Sequence, residues 1–108
     1  VTAVVRHASI LNDVTPREAA LLGLEEVARV TDTGNPGYGL VSWVESEACR
    51  RLTASADMVV SKGIANLETL SHRSLPRPVL FLYRAKCGPS ARAAAAAPGT
   101  TVIWWKPV

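Results

Sequence analysis

The chain has 108 residues, of which 48% are hydrophobic and 19% charged, and its 12 basic and 9 acidic side chains give a formal net charge of +3. This length predicts a single domain over residues 1–108, because the chain is too short for a second core and long enough to fold without a disulfide or a structural metal. The sequence has no run of about 18 apolar residues, so neither a transmembrane helix nor a membrane partner is predicted.

The first half of the chain predicts two strands and one short helix. A β-branched run at residues 2–6 favours a buried strand. Thr15 begins a capping box with proline at the first helical position, which predicts a helix over residues 16–22. Alternating residues at 26–31 predict a second strand, and the glycines and proline of residues 33–39 predict a loop after it.

The second half continues with the same alternation of helices and strands. Helices are predicted at residues 46–54, 66–70 and 91–97, with a shorter helical turn at residues 40–44. Strands are predicted at residues 58–61, 79–83 and 101–105. Alternation of this kind favours an α/β fold with a parallel, Rossmann-like sheet of about five strands and flanking helices. Trp104 and Trp105 are adjacent on the last strand and are expected to point to opposite faces.

The positive charge is concentrated in the last third of the chain. Residues 1–70 hold six basic and nine acidic side chains, whereas residues 71–108 hold six basic side chains and no acidic one. A cationic segment of this kind fits a nucleic acid, an acidic partner or a phosphate site, and it also fits a solvated surface.

The cysteines and histidines give no site of their own. Cys49 and Cys87 are far apart and form no CxxC pair, so neither a zinc site nor a disulfide framework is predicted. Cys87 is interpreted as a small buried residue rather than a nucleophile, because no histidine lies near it in sequence. His7 and His72 are interpreted as surface or loop residues. No secretory signal is visible at the start, and a reducing, cytoplasmic location is predicted.

Polar residues follow three of the predicted strands, at the edge where α/β sheets bind ligands. Asn12 and Asp13 come after the first strand, and a carboxylate with an amide suits a divalent cation. Candidate phosphate or substrate residues come after the third and fourth strands; these are Lys62, Gly63, Asn66, Glu68 and Lys86. Lysines neutralise phosphate oxygens, and glycine lets the backbone approach a ligand closely.

Each of these signals has a simpler interpretation. Asn12 and Asp13 also fit a turn or a helix cap, the Lys62-Gly63 pair fits a plain turn, and Lys86 fits a solvated surface position. The segment around Lys62 is not a Walker loop, because the glycines and hydroxyl of that motif are missing.

Three segments, ILNDVTPREAALLGL, ADMVVSKGIANLETL and VLFLYRAKCGP, resemble in order and spacing the C-terminal half of the metal-dependent damage-control phosphatase family. The second segment is the most specific, because it keeps a KGxxNxET pattern at Lys62, Gly63, Asn66, Glu68 and Thr69. The resemblance implies an α/β phosphatase that acts on small phosphorylated metabolites, such as sugar phosphates or phosphopantetheine-like compounds. It also implies a divalent metal ion in the intact parent: Mg, Mn, Co or Ni.

The resemblance also implies roles for individual residues. Asp13 corresponds to a metal ligand and Lys86 to a residue that holds phosphate, while the KGxxNxET segment lines the same cleft. The family's other two metal ligands, an Asp-Asn pair in a DNAGE-like motif, lie upstream of anything that resembles Val1. We therefore expect the C-terminal part of a larger α/β domain, with little or no activity alone. We also expect the chain to associate with itself or to be complemented by a missing N-terminal half.

A second interpretation is a non-enzymatic binding module that uses the basic residues 71–108 for a nucleic acid or an acidic partner. Nucleic acid is the less favoured partner, because the aromatic residues of this segment lie on predicted core strands and no groove-reading motif is present. A remnant that keeps the fold without a function is the third interpretation. Whether the chain itself is an enzyme is left open by the sequence.

Overall fold

The structure is a computed structural model that describes residues 1–36, 43, 46–86 and 88–108. The chain divides into two compact units, Val1–Tyr38 and Gly39–Val108. Parts of two sequence predictions lie outside the described residues: the end of the loop at 33–39 and, apart from the buried Trp43, the helical turn at 40–44. The single domain over residues 1–108 remains a prediction.

The first unit contains a two-stranded parallel sheet and one capped helix. Strand β1 covers Thr2–Val5, helix α1 covers Pro16–Leu21, a 3-10 turn covers Leu24–Glu26, and strand β2 covers Arg29–Asp32. The capping box is present, and in it the Glu18 carboxylate accepts the backbone N–H of Thr15 at 3.1 Å. Gly23, with φ of 67°, takes a left-handed conformation just after α1 and ends the helix.

In its described residues, the second unit contains a three-stranded sheet and three helices of more than one turn. The helices are α2 at Glu47–Ala54, α3 at Ile64–Leu70 and α4 at Gly88–Ala93. The strands are β3 at Val59–Lys62, β4 at Val79–Arg84 and β5 at Thr101–Lys106, in the order β3-β4-β5. Among the described residues, no helix has the length and apolar character needed to cross a membrane.

The fold is mixed α/β, but a five-stranded parallel sheet is not confirmed. The five described strands form sheets of two and three strands, and the prediction of parallel pairing is wrong for β5, which runs antiparallel to β4. The physical reason lies in the connection between these strands. The backbone N–H of Gly99 donates to the carbonyl of Ala85, and the N–H of Ala85 donates to the carbonyl of Thr100, so the chain enters β5 at the same end of the sheet at which it left β4. Helix α4 has six residues, so it is about 9 Å long and does not span a strand of about 20 Å.

Helix α4 also differs from the prediction of a helix over residues 91–97. The backbone N–H of Ala95 donates to Arg92 at 3.1 Å, and that of Ala96 donates to Ala91 at 2.9 Å. These two bonds form a Schellman motif, in which the residue after the cap takes a left-handed conformation. Ala95 has φ of 49°, so the alanine run leaves the helix in spite of its high helix propensity.

The core of the second unit lies on one face of the three-stranded sheet. Val79, Phe81 and Tyr83 alternate along β4 and are at most 6% exposed. The Phe81 ring stacks on Trp104, with the ring centroids 5.0 Å apart. Helix α3 packs against β3 and β4 and buries Leu67.

The opposite side of this sheet carries a group of apolar side chains, several of them exposed. Pairing of β3, β4 and β5 places five apolar residues there, which we call the open face: Val60, Leu80, Leu82, Ile103 and Trp105. Val60 is 56% exposed, Ile103 71% and Trp105 49%. Because Trp104 pairs with Phe81 and Trp105 with Leu80, the two tryptophans point to opposite faces, and that prediction is confirmed.

Candidate functional site

The predicted cation ligands, Asn12 and Asp13, lie on the loop between β1 and α1. Asn12 is exposed, whereas an oxygen of the Asp13 carboxylate accepts a hydrogen bond from Arg6 Nε at 2.9 Å. The loop is fixed by a backbone bond from Asp13 to Ile10 at 3.1 Å, and by one from Arg6 to Val14 at 2.9 Å. The sequence interpretation missed Arg6, which is 7% exposed and holds Asp13 across a seven-residue separation.

The residues that the structure describes do not complete a site for a divalent cation. No group of three or more His, Cys, Asp or Glu side chains with suitable geometry is found among them. Asp13 and Asn12 together offer one carboxylate and one amide, while a hard cation takes about six oxygen ligands. The Asp13 carboxylate is moreover paired with a guanidinium. We therefore assign no chemical step to a cation.

The second cluster lies at one end of the β3–β4–β5 sheet. Lys62 is the last residue of β3 and pairs with Leu82 of the parallel strand β4, and Lys86 follows β4 by two residues. Both lysines are exposed and follow neighbouring parallel strands at the same end of this sheet. Gly63 has φ of 103°, and a Cβ at this position would meet no atom of the described residues within 4 Å, apart from its two neighbours in the chain. The turn after β3 is therefore open to a ligand.

The other predicted substrate residues lie on α3. The side-chain amide of Asn66 donates to the carbonyl of Lys62 at 2.8 Å, which fixes the turn between β3 and α3. Glu68 lies in the second turn of α3, with its side chain exposed. Cys87, which directly follows Lys86, lies outside the described residues. Substrate roles for Lys62, Gly63, Asn66, Glu68 and Lys86 remain predictions.

Two further polar groups at the strand ends were missed by the sequence interpretation. His7 Nδ1 lies 2.9 Å from Asp32 Oδ1, which also accepts the Gly34 N–H at 2.6 Å. The hydrogen bond from His7, followed by the one from Gly34, lowers the pKa of the Asp32 carboxyl. The hydroxyl of Ser61, beside Lys62, is buried and has no hydrogen-bond partner among the described residues. The contact between His7 and Asp32 could have been predicted only from the register of β1 and β2, which pairs Val5 with Asp32.

The lowered pKa of Asp32 predicts that the first unit loses stability in acid. Interactions of a carboxylate with a lowered pKa contribute above the ordinary aspartate value of about 3.9 and are lost as the pH falls through the lowered value. We expect the urea midpoint to fall more steeply below about pH 4 in the wild-type protein than in Asp32→Asn or His7→Gln. Circular dichroism across a pH series measures this, and identical slopes in all three proteins would contradict it.

Several basic side chains of residues 71–108 bind backbone carbonyl groups. Arg77 donates to the last carbonyl of α2 at 2.8 Å, and Arg84 donates to a carbonyl in the turn before β5 at 3.0 Å. Lys106 donates to two carbonyls just after α3, at 2.8 and 2.6 Å. Cations near helix C-termini satisfy unpaired carbonyls and oppose the helix dipole. Part of the positive charge in this segment therefore has a structural role.

The described residues thus define a mixed α/β protein with charged side chains at its strand ends. A profile described as the damage-control phosphatase ARMT1-like domain matches residues 1–102, and the chain belongs to this family. The family resemblance stated from the sequence is confirmed.

The chain is also similar to individual proteins, one of them described as a damage-control phosphatase. A damage-control phosphatase of Archaeoglobus fulgidus is 38% identical over 92 residues, which are 84% of this chain and 32% of the relative. A protein of Methanocaldococcus jannaschii described as uncharacterized is 33% identical over 93 residues, 84% of this chain and 31% of that protein. The crystal structure of a DUF89-family protein of Pyrococcus horikoshii matches with a TM-score of 0.83 and 30% identity, over 97% of this chain and 36% of that chain. The chain spans about a third of the length of these relatives.

Proposed function

We propose that the chain forms the phosphate-binding part of a metal-dependent phosphatase that hydrolyses small phosphorylated metabolites, sugar phosphates or related phosphoesters. The observation that supports this is the location of Lys62 and Lys86 after neighbouring parallel strands, at one end of the sheet. Membership of the damage-control phosphatase family supports a phosphoester as substrate.

The two lysines supply the chemistry that such a substrate needs. Their ammonium groups pair with the phosphate oxygens and offset the charge that collects there as the ester bond breaks. The open turn at Gly63 lets the backbone approach the same oxygens, and Asn66 holds that turn through the Lys62 carbonyl. Glu68, exposed on α3, is the proposed contact to the metabolite beyond its phosphate group.

The proposed enzyme uses a divalent cation, Mg, Mn, Co or Ni, with Asp13 and Asn12 as ligands. These two residues supply two of the roughly six oxygen donors that a hard cation takes, so the other donors have to come from elsewhere. We propose that the chain is the C-terminal portion of a damage-control phosphatase-like domain, in the cytoplasm, and that it has little activity alone. The open face would then be covered by a second copy or by the rest of such a domain.

Binding of inorganic phosphate and glucose 1-phosphate to the 108-residue chain tests the site. We expect Lys62→Ala and Lys86→Ala each to weaken binding by about tenfold, because a charge-assisted hydrogen bond is lost. Calorimetry measures the affinity in metal-free buffer, and phosphate release after addition of Mn²⁺ is assayed separately for the same proteins. Arg17→Ala, which removes an exposed cation of α1, is the control and is expected to bind as the wild-type protein does.

Unchanged affinity in the double variant of Lys62 and Lys86 would contradict the proposal. Salt-dependent retention of a short DNA duplex, without binding of either phosphate compound, would instead support the binding-module interpretation.

A further inference from the structure

Arg6 is a buried cation whose charge is balanced by a candidate cation ligand. Its side chain is 9% exposed, and its Nε lies 2.9 Å from Asp13 Oδ2. A guanidinium stays charged at every physiological pH, and a buried charge is stable only when it is paired. The Asp13 side chain, at 47% exposure, is also accessible to an ion from solvent. The same carboxylate is therefore available to two different cations.

The two cations exclude one another for electrostatic reasons. A divalent ion bound to the Asp13 carboxylate would lie within a few ångströms of the guanidinium, where like charges repel strongly in a partly buried site. Family membership implies a divalent ion, whereas the described donors do not complete a site for it. Besides the small number of donors, the Arg6–Asp13 pair is therefore a second obstacle to a divalent ion at this position.

We infer that Arg6 is the resident counter-ion of Asp13, and that it prevents the chain from holding a divalent cation there by itself. A cation binds at Asp13 only when further donors compensate for the displaced guanidinium. This inference rests on the proposed function, in which Asp13 is a cation ligand. Beyond that function, it gives Arg6 a role: Arg6 controls whether the Asp13 carboxylate is available to a divalent cation.

Titration with Mn²⁺, followed by electron paramagnetic resonance of the free ion, tests this role in the 108-residue chain. The wild-type protein is expected to show no stoichiometric site. Arg6→Met keeps an apolar side chain of similar length at the buried position and releases the carboxylate. We expect it to bind one Mn²⁺ at least tenfold more tightly than the wild-type protein does, and we expect Arg6→Met combined with Asp13→Asn to lose that site.

A second measurement keeps the inference testable if Arg6→Met does not fold. In the wild-type protein, Mn²⁺ is expected to broaden the amide resonances of Asp13 and Val14 no more than those of the exposed Glu25 and Glu26. Stoichiometric binding to the wild-type protein that disappears in Asp13→Asn would overturn the inference, as would equal affinities of wild-type and folded Arg6→Met. Phosphate binding at Lys62 and Lys86 is measured without metal, so failure of the proposed function is seen separately.

Discussion

Phe81→Ala is expected to lower the free energy of unfolding of the second unit by about 4 kcal/mol, which is most of the stability of a small domain. Phe81 is fully buried at the centre of β4, and its ring stacks on Trp104. Alanine would remove that stack and leave a cavity between the strands and α3. The neighbouring backbone is held in a hydrogen-bonded ladder on both sides, so it cannot collapse to fill the space.

Urea unfolding followed by tryptophan fluorescence measures this loss. Leu82→Ala is the matched control, because Leu82 is the next residue on the same strand, faces the opposite way and is only partly buried. A loss of about 1 kcal/mol is expected there, from transfer of the removed methyl groups without a closed cavity. Equal losses in the two variants would show that the core does not lie on the Phe81 face.

The elements that the sequence predicts well are those that local chemistry determines. Helix α1 is specified by the Thr15–Glu18 capping box and the proline that follows, all within four residues. Strand β4 is specified by its own apolar, β-branched and aromatic residues. The direction of β5 depends instead on bonds from Ala85 to residues fourteen or more positions later, and no local pattern records them.

In the candidate site, too, some features follow from local sequence and others depend on long-range contacts. That polar residues follow the strands could be predicted, because α/β sheets bind ligands at those ends. The hydrogen-bond partners of these polar residues could not be predicted, because the partners depend on the register of the strands and on the path of a loop. Pairing of Val5 with Asp32 brings His7 to a carboxylate, and the turn from Ile10 to Asp13 returns Asp13 to Arg6. A charge that the sequence presents as available is thus already paired in the fold.

Replacing Ile103 and Trp105 together with lysine is expected to abolish self-association of the chain. These residues belong to the open face, where apolar side chains of three neighbouring strands lie in register and three of them are 49 to 71% exposed. Contiguous apolar patches larger than a few hundred Å² are rare on monomeric proteins and mark interaction sites. Two lysines within it would have to be desolvated in any complex, at a cost of several kcal/mol.

Sedimentation velocity at several protein concentrations measures the effect, and the wild-type protein is expected to shift from monomer to larger species as concentration rises. Leu21→Lys with Leu22→Lys is the matched control, because these residues at the end of α1 are 72% and 75% exposed and belong to the other unit. It should associate as the wild-type protein does. A wild-type protein that stays monomeric at every concentration, or an equal effect of the control pair, would contradict the role of the open face.

The charges on this face give the association a characteristic dependence on salt. Strand pairing puts Lys62 and Arg84 on the same side of the sheet as the open face, so two copies packed through it would bring like charges together. Salt screens that repulsion over about 10 Å at moderate ionic strength, and self-association should therefore strengthen as salt is added. A partner with acidic groups opposite these two cations would show the reverse, because its attraction to them would be screened. The sign of the salt dependence thus separates a second copy from a complementary part of a phosphatase domain.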